Sequence, residues 1–222
     1  MFTKNETKMK GKIITIEGGD GTGKKTQTRL LVKRLKKEGY DVETLSFPQY
    51  EKPTGKIIRA YLDGEFGSLK EVNAKIASAL YASDRLSAQE QIKKWLQEGK
   101  IIVLDRYYES NMAHQGAKLP EQERQEFIKW VYDFETSLGI LASDIVILLT
   151  LPLDVAEEAM KNEGRQKDIH EKDVAYSREV HKTYLLAAKI FNWKIVDCMS
   201  VDARLSKEQV AEKVWDVVKE NL

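Results

Sequence analysis

The stretch "KIITIEGGDGTGKKTQ", Lys12 to Gln27, decides the fold. An apolar β-branched run leads into a glycine-rich turn and then into the helix pattern "TQTRLLVKRLKKEG", Thr26 to Gly39. The turn fits the phosphate-cradling pattern GxxxxGK(S/T) at Gly18, Gly23 and Lys24. Gly18, Gly19, Gly21 and Gly23 let backbone N–H groups converge on phosphate oxygens, the helix start adds partial positive charge, and Lys24 supplies a mobile cation. Asp20, Thr22 and Thr26 complete the loop. The position that should carry a metal-binding hydroxyl holds Lys25, so the sequence asks whether the site works or is broken.

Outward from this stretch, short β-branched runs alternate with helix-length segments. Ile13–Ile16, Val42–Leu45, Ile101–Leu104, Ile145–Leu149 and Lys194–Val196 read as strands. "IIVL" and "IVILL" are apolar without alternation, as strands buried on both faces are. Helices are expected over Thr26–Glu38, Val72–Gln97, Glu121–Leu138 and Asp173–Phe191, with a last one from about Ser206. Gly39, Gly99 and Gly139 stand where helices commonly stop. The alternation predicts an α/β fold with a five-stranded parallel sheet flanked by helices and ligands beyond the carboxyl ends of the strands. No repeat, low-complexity tract or Pro- and Gly-rich linker divides the chain, so 1–222 reads as one domain with a loose tail over 1–10.

The chain carries 36 basic and 35 acidic residues, a net charge of +1, which excludes a broad electrostatic pull toward nucleic acid or anionic membrane. Any cationic function is therefore local. No apolar stretch approaches the roughly 20 residues that span a bilayer, and the first residues lack a signal-peptide core, so a soluble cytoplasmic protein is expected. Cys198, the only cysteine, has no intramolecular disulfide partner and reads as a small packed side chain. Trp95, Trp130, Trp193 and Trp215 are likewise assigned to packing.

Further signals fall after other strands or on the helix between them. "SFPQY" (Ser46 to Tyr50) follows the second strand, "LDRYYESNMAHQG" (Leu104 to Gly116) follows the third, and "LYASDR" (Leu80 to Arg85) lies on the long helix. No NKxD segment exists to serve a GTPase, and Glu17 stands where a partitioning-type ATPase would carry lysine. Beside a phosphate loop, the Asp105–Arg106 pair reads as more than a rim ion pair, since an arginine fork matches a second phosphate group.

With "EGGDGTGKKTQ", "FPQY", "LYASDR", "DRYYESNMAHQG" and "NWKIVDC" in this order over nearly the whole chain, the sequence resembles the thymidylate kinases. The resemblance implies a P-loop three-layer sandwich with a short lid over 161–173, and transfer of the γ-phosphoryl of ATP to the 5′-phosphate of dTMP. An acceptor phosphate with a second pKa of about 6 is already largely ionised, so no general base is required. ATP is expected on the loop Gly18 to Thr26, with Lys24 bridging the β- and γ-phosphates. Arg106 is expected to hold the acceptor phosphate, and Asp105 to orient Arg106 or water on the metal.

The same resemblance places Phe47, Pro48 and Tyr50 over the acceptor phosphate and sugar, near Asp20. It stacks Tyr81 on thymine, aims Arg85, one helical turn later, at the O4 edge, and gives the N3 edge to Asn111 or Gln115. His114 stands near the sugar, where relatives commonly have Tyr or Phe. Because the loop position is Gly21, a further arginine must come from the lid, and Arg165 is the choice there. Mg²⁺ is assigned to Asp20 and Glu171, with Thr26 as a substitute ligand. Lys25 paired with Tyr50 matches a bacterial subtype that works without the loop hydroxyl. Relatives are usually homodimers, and Ile76, Ala79 and Leu80 are positions that would face a partner or be buried in the monomer. The rival readings are a kinase for another acceptor and a nucleotide-binding module disabled by Lys25.

Overall fold

Runs of β-branched residues without alternation become the middle of the sheet because helices cover both of its faces. The computed structural model describes residues 11–69, 71–162, 174–201 and 203–222. Strands β1 (Lys12–Gly18), β2 (Val42–Ser46), β3 (Ile101–Asp105), β4 (Ile145–Thr150) and β5 (Lys194–Asp197) lie in the order β2-β3-β1-β4-β5. Each neighbouring pair is parallel, which is the expected five-stranded parallel sheet. The helices are α1 (Lys24–Lys37), α2 (Pro53–Leu62), α3 (Ala74–Leu86), α4 (Gln89–Gln97), α5 (Tyr108–Gly116), α6 (Glu121–Ser137), α7 (Leu153–Asn162), α8 (Val174–Phe191) and α9 (Lys207–Lys219).

Strand residues divide between two core layers by parity. Ile102, Leu104, Val146 and Leu148 pack with side chains of α5, α6 and α8. Ile101, Val103, Ile145, Ile147 and Leu149 pack with Leu31 and Leu35 of α1 and with Val210, Val214 and Val218 of α9. Odd-numbered positions of β1 face the first layer, where Ile13 is joined by the fully buried polar residues Thr15 and Glu17. A carboxylate inside a core layer needs partners, and those partners turn out to lie at the candidate site. Cys198, Trp193 and Trp215 are buried, and Trp95 and Trp130 pack against the core, as the packing assignment required.

The single helix expected over Val72–Gln97 is corrected to two, α3 and α4, separated by a turn at Ser87 and Ala88. Side chains there take the carbonyls that a continuous helix would use. Ser87 Oγ donates to the Asp84 carbonyl at 2.7 Å and Gln89 Nε2 donates to the Arg85 carbonyl at 2.9 Å. Helices α2, α5 and α7 arise where no helix was expected. Helix α5, "YESNMAHQG", is too polar to show an apolar period, yet most of it is buried because its polar side chains point into a shared site. The last helix starts where expected, with Ser206 and Gln209 forming a capping box.

Of the expected lid, Lys161 and Asn162 close α7; 163–173, with Arg165, His170 and Glu171, lie outside the described residues, as does the expected tail over 1–10. No helix among the described residues is long and apolar enough to cross a membrane.

Ile147 is fully buried in β4, between β1 and β5. Ile147→Ala should lower unfolding stability by about 2–5 kcal/mol, read from denaturant midpoints, and a loss below about 1 kcal/mol would contradict the packing described.

Candidate active site

Parallel registry brings the carboxyl ends of β1, β2 and β3 side by side, with Ile16 opposite Asp105 and Ser46 opposite the same residue. The three segments that leave these strands form the site. The turn after β1 requires glycine at particular points. Gly18 has φ 149° and a Cβ there would lie 2.6 Å from the Leu149 carbonyl; Gly21 has φ 78° and a Cβ would lie 2.4 Å from the Ala156 carbonyl. Any side chain at either position would collide with backbone that cannot move aside.

Helix α1 starts at Lys24 with Gly23 as its N-cap and no side-chain cap, and its first turn holds no acid. Its leading N–H groups therefore remain available to an anion. Lys24 is buried, and its Nζ donates to the Gly19 carbonyl at 2.6 Å while standing 3.7 Å from Asp20 Oδ1. Burial lowers its pKa to about 8, the nearby Arg106 charge pushing the same way and Asp20 opposing. Thr22 Oγ1 donates to the same Gly19 carbonyl at 2.8 Å. Lys25 is exposed and Thr26 is half-buried. Arg204, in the turn after β5, donates to the Gly21 carbonyl at 3.1 Å.

Arg106 follows β3 in the left-handed region, φ 65°, an uncommon backbone state for a non-glycine residue. Its Nη2 pairs with Asp20 Oδ1, and its Nη1 reaches Ser110 Oγ and Tyr184 Oη at 3.2 Å each and His114 Nε2 at 3.4 Å. Asp105 acts on this guanidinium through charge, while those four residues direct it by hydrogen bonds. Burial works against the Arg106 charge, but Asp20, Tyr184 and Glu17 together hold its pKa well above the ordinary value. Beneath it, Glu17 is fully buried and accepts from the Tyr107 N–H, Ser110 Oγ and Tyr184 Oη, each at 2.8 Å. Burial raises the Glu17 pKa, against the Arg106 charge and these donors.

One open cleft collects all the residues expected at the acceptor. Asp20 and Arg106 stand at its phosphate-loop end. Phe47 and Pro48, joined by a cis peptide, line it with Tyr50. This turn is held by Asp84, which accepts from the Gln49 N–H at 2.8 Å and from Thr54 Oγ1 at 2.7 Å. Phe47 packs on Tyr107 with ring centroids 5.5 Å apart. Tyr50 carries the Arg59 guanidinium over its ring at 4.4 Å. His114 lies between Arg106 and the rings of Tyr176 and Tyr184.

The remaining wall is built around Glu135 on α6, an acid outside the sequence-based expectations. Arg85 is buried, donating through Nε at 2.9 Å and through Nη2 to the two oxygens of Glu135, while Nη1 stands 3.5 Å from the Tyr107 carbonyl. Asn111 Nδ2 donates to Ser78 O at 3.1 Å and Glu135 Oε1 at 3.0 Å. Both amide hydrogens of Asn111 are thus committed, and its oxygen is the group left for a ligand. Gln115 Oε1 is buried with no hydrogen-bond partner among the described residues. The wall therefore offers acceptors at Asn111 and Gln115 beside a guanidinium, with the ring of Tyr81 also lining the cleft and meeting Tyr61 edge-on at 6.2 Å. Such a set complements a ring N–H flanked by a carbonyl. Glu135 had one usable signal: it shares the buried face of α6 with Ile128 and Val131, where an acid must have a partner.

Among the described residues no group of three or more His, Cys, Asp or Glu side chains is placed to hold a metal. A magnesium ion carried by phosphates needs only one or two carboxylates. Asp20, a quarter exposed at the loop, and Asp105 at the end of β3 are hard-oxygen donors of that kind, so the residues present fit the ion.

The family model for thymidylate kinase matches residues 16–214 of the chain. A thymidylate kinase of Exiguobacterium sp. is 31% identical over 215 residues, covering 96% of this chain and 97% of that protein. One from Thermoanaerobacter sp. is 33% identical over 218 residues, covering 96% and 100%. Among solved structures, the thymidylate kinase of Candida albicans, described as having broad substrate specificity, superposes with a TM-score of 0.74 at 25% identity, covering 96% of this chain and 92% of that one.

The buried Arg85–Glu135 pair generates a stability test. Glu135→Ala leaves a buried guanidinium without its counter-ion and should cost about 3–5 kcal/mol in denaturant unfolding. A cost below about 1 kcal/mol would show that the pair is not desolvated as described.

Proposed function

Because the chain belongs to the thymidylate kinase family, we propose that it transfers the γ-phosphoryl group of ATP to the 5′-phosphate of dTMP, giving dTDP and ADP. One observation carries the site assignment: Arg106 stands where the phosphate loop meets the acceptor cleft, its guanidinium within bonding distance of Asp20 of the loop. A cation at that junction neutralises the two phosphate groups that must approach each other. An acceptor oxygen attacks the γ-phosphorus as the bond to the β–γ bridging oxygen breaks, and the charge that develops is met by fixed cations.

In this reading Lys24 and the open N–H groups of α1 hold the donor phosphates across the loop, and Arg106 holds the acceptor phosphate. Phe47, Pro48 and Tyr50 cover the acceptor sugar and phosphate beside His114. Arg85, Asn111 and Gln115 read the thymine edge, and Tyr81 stacks on its face. Arg165 and Glu171, which lie outside the described residues, are proposed on the family resemblance alone to act at the donor side. Mg²⁺, held by Asp20 and Glu171, would offset charge on the transferring phosphoryl group. Asp20 and Lys24 bind and orient; no side chain is asked to remove a proton.

We also propose that the chain works as one kinase unit in the cytoplasm, and as a homodimer. Ile76 is 62% exposed and Phe66 is 52% exposed, with Ala79 also exposed and Leu80 half-buried, which supports a partner on that face.

ADP release measured with ATP fixed and dTMP, dUMP, dGMP, UMP or thymidine as acceptor tests the assignment. The highest kcat/KM should belong to dTMP, and preference for thymidine or for a purine monophosphate would replace it with a different kinase. Arg106→Ala should lower kcat/KM for dTMP by about 100-fold or more, because a charge-assisted phosphate contact is lost.

Lys24 adds a pH test. Its pKa in the free protein is lowered to about 8, so below that pH it carries its charge and above it the charge is lost. Bound phosphate favours the charged form, so ATP binding above pH 8 must take up a proton, and affinity should fall by up to about tenfold per pH unit. Calorimetry in buffers of different ionisation heat reads the uptake; equal heats in all buffers at pH 9 would mean that Lys24 either keeps its charge in the free protein at that pH or does not meet the phosphates.

A further inference from the structure

We propose that Glu17 is the positioning residue for Arg106, setting the backbone and the guanidinium direction through one peptide N–H and two hydroxyls. The inference rests on the reading of Arg106 as the acceptor-phosphate residue. Glu17 is fully buried, so it meets no substrate and can act only through its partners. All of those partners lead to Arg106.

The backbone comes first. Arg106 sits in the left-handed region, and such a residue persists where its surroundings over-determine it. The peptide before it is fixed because Arg106 N–H donates to the Ile16 carbonyl at 3.1 Å. The peptide after it is fixed because Tyr107 N–H donates to Glu17 Oε1 at 2.8 Å. Adjacent residues of β1 therefore pin both sides of the unusual residue.

The guanidinium comes second. Ser110 Oγ and Tyr184 Oη each have one hydrogen, and both stand 2.8 Å from Glu17 Oε2. In its ionised form, which the Arg106 charge and these donors favour against burial, Glu17 accepts only, so each hydroxyl turns its hydrogen toward it and presents its lone pairs elsewhere. Arg106 Nη1 lies 3.2 Å from each of those oxygens. Glu17 thus converts two ambivalent hydroxyls into acceptors aimed at Arg106. An amide at this position breaks the arrangement, because its NH₂ would donate to one hydroxyl and turn that hydrogen toward the guanidinium.

A double-mutant cycle tests this, with dTMP as acceptor. Glu17→Gln should lower kcat/KM for dTMP by about 10- to 100-fold, as misplacement of a group at the reacting centre does, while the dissociation constant of ATP changes by less than about twofold. In the Arg106→Ala background the same Glu17→Gln change should add less than about threefold, since the residue through which it acts is gone. A general structural role predicts the opposite: losses that multiply, weaker ATP binding and a lowered melting temperature, and that result overturns the proposal. If Arg106→Ala alone is silent, the acceptor-phosphate assignment fails and this proposal falls with it; if Arg106→Ala is damaging and Glu17→Gln is silent or additive, only this proposal fails. Should Glu17→Gln not fold, Tyr184→Phe removes one relay hydroxyl without changing charge. Its smaller loss should likewise vanish in the Arg106→Ala background, and a loss that persists there overturns the proposal.

Discussion

A cluster of opposite charges only partly open to water, at the carboxyl ends of β1 and β3, is the constraint around which the chain is arranged. Lys24 and Arg106 share that volume with Glu17, Asp20 and Asp105. Charges held in low dielectric interact far more strongly than in water and are costly when unpaired. The parallel register that sets Ile16 beside Asp105 makes the cluster unavoidable, because it puts the phosphate loop and the Arg106 turn on neighbouring strand ends. Arg106 lines the cleft and is met there by Asp20, and Lys24 is met by the Gly19 carbonyl of the loop. On the proposed reading, phosphate oxygens compete for these same cations. A polyphosphate brings more charge than one carboxylate, so the exchange favours the ligand.

The acceptor wall follows a different logic, that of rigidity. Glu135 on α6 ties Arg85 of α3 to Asn111 of α5, and Asp84 on α3 ties down the turn after β2. Arg85 and Asn111, two of the groups that would read a base, are held by the protein before a ligand arrives, so they have little side-chain freedom left to lose on binding. Gly55 extends this fixing to α2. A Cβ there would lie 1.9 Å from the Gln49 carbonyl, so the helix presses directly on the back of the turn. A buried ion pair is a weak source of net stability; here its use is to define where a guanidinium points.

Much of this was legible because local pattern and position agree. The apolar runs "IIVL" and "IVILL" became central strands, the glycine-rich turn fell between β1 and α1, and segments that follow strands met in one cleft. What stayed hidden depends on pairing between distant residues. Glu17 and Tyr184 are separated by 167 positions and Arg85 and Glu135 by 50, and no periodicity connects them. The break at Ser87 and Ala88 was hidden for a related reason: the side-chain hydrogen bonds that end α3 compete with the helix without changing its apolar spacing. Helix α5 escaped detection because its polar residues are buried by function and its sequence looks solvated.

Lys25 can now be weighed against its surroundings. It is exposed on the first turn of α1, a turn with no acid and no side-chain cap. A cation there opposes the helix dipole, at a cost of about 0.3–1 kcal/mol. An ion pair at an exposed position contributes about 0–1 kcal/mol, a magnitude that offsets that cost when an anion is bound. Thr22 Oγ1 gives its hydrogen to the Gly19 carbonyl. On the proposed reading, a loop that holds Lys24 beside Asp20 and sets Lys25 at the helix start would meet polyphosphate with cations, and hard-oxygen contact with a metal would fall to carboxylates such as Asp20. The substitution that reads as a defect against the motif is, on that reading, a different distribution of charge around the same anion.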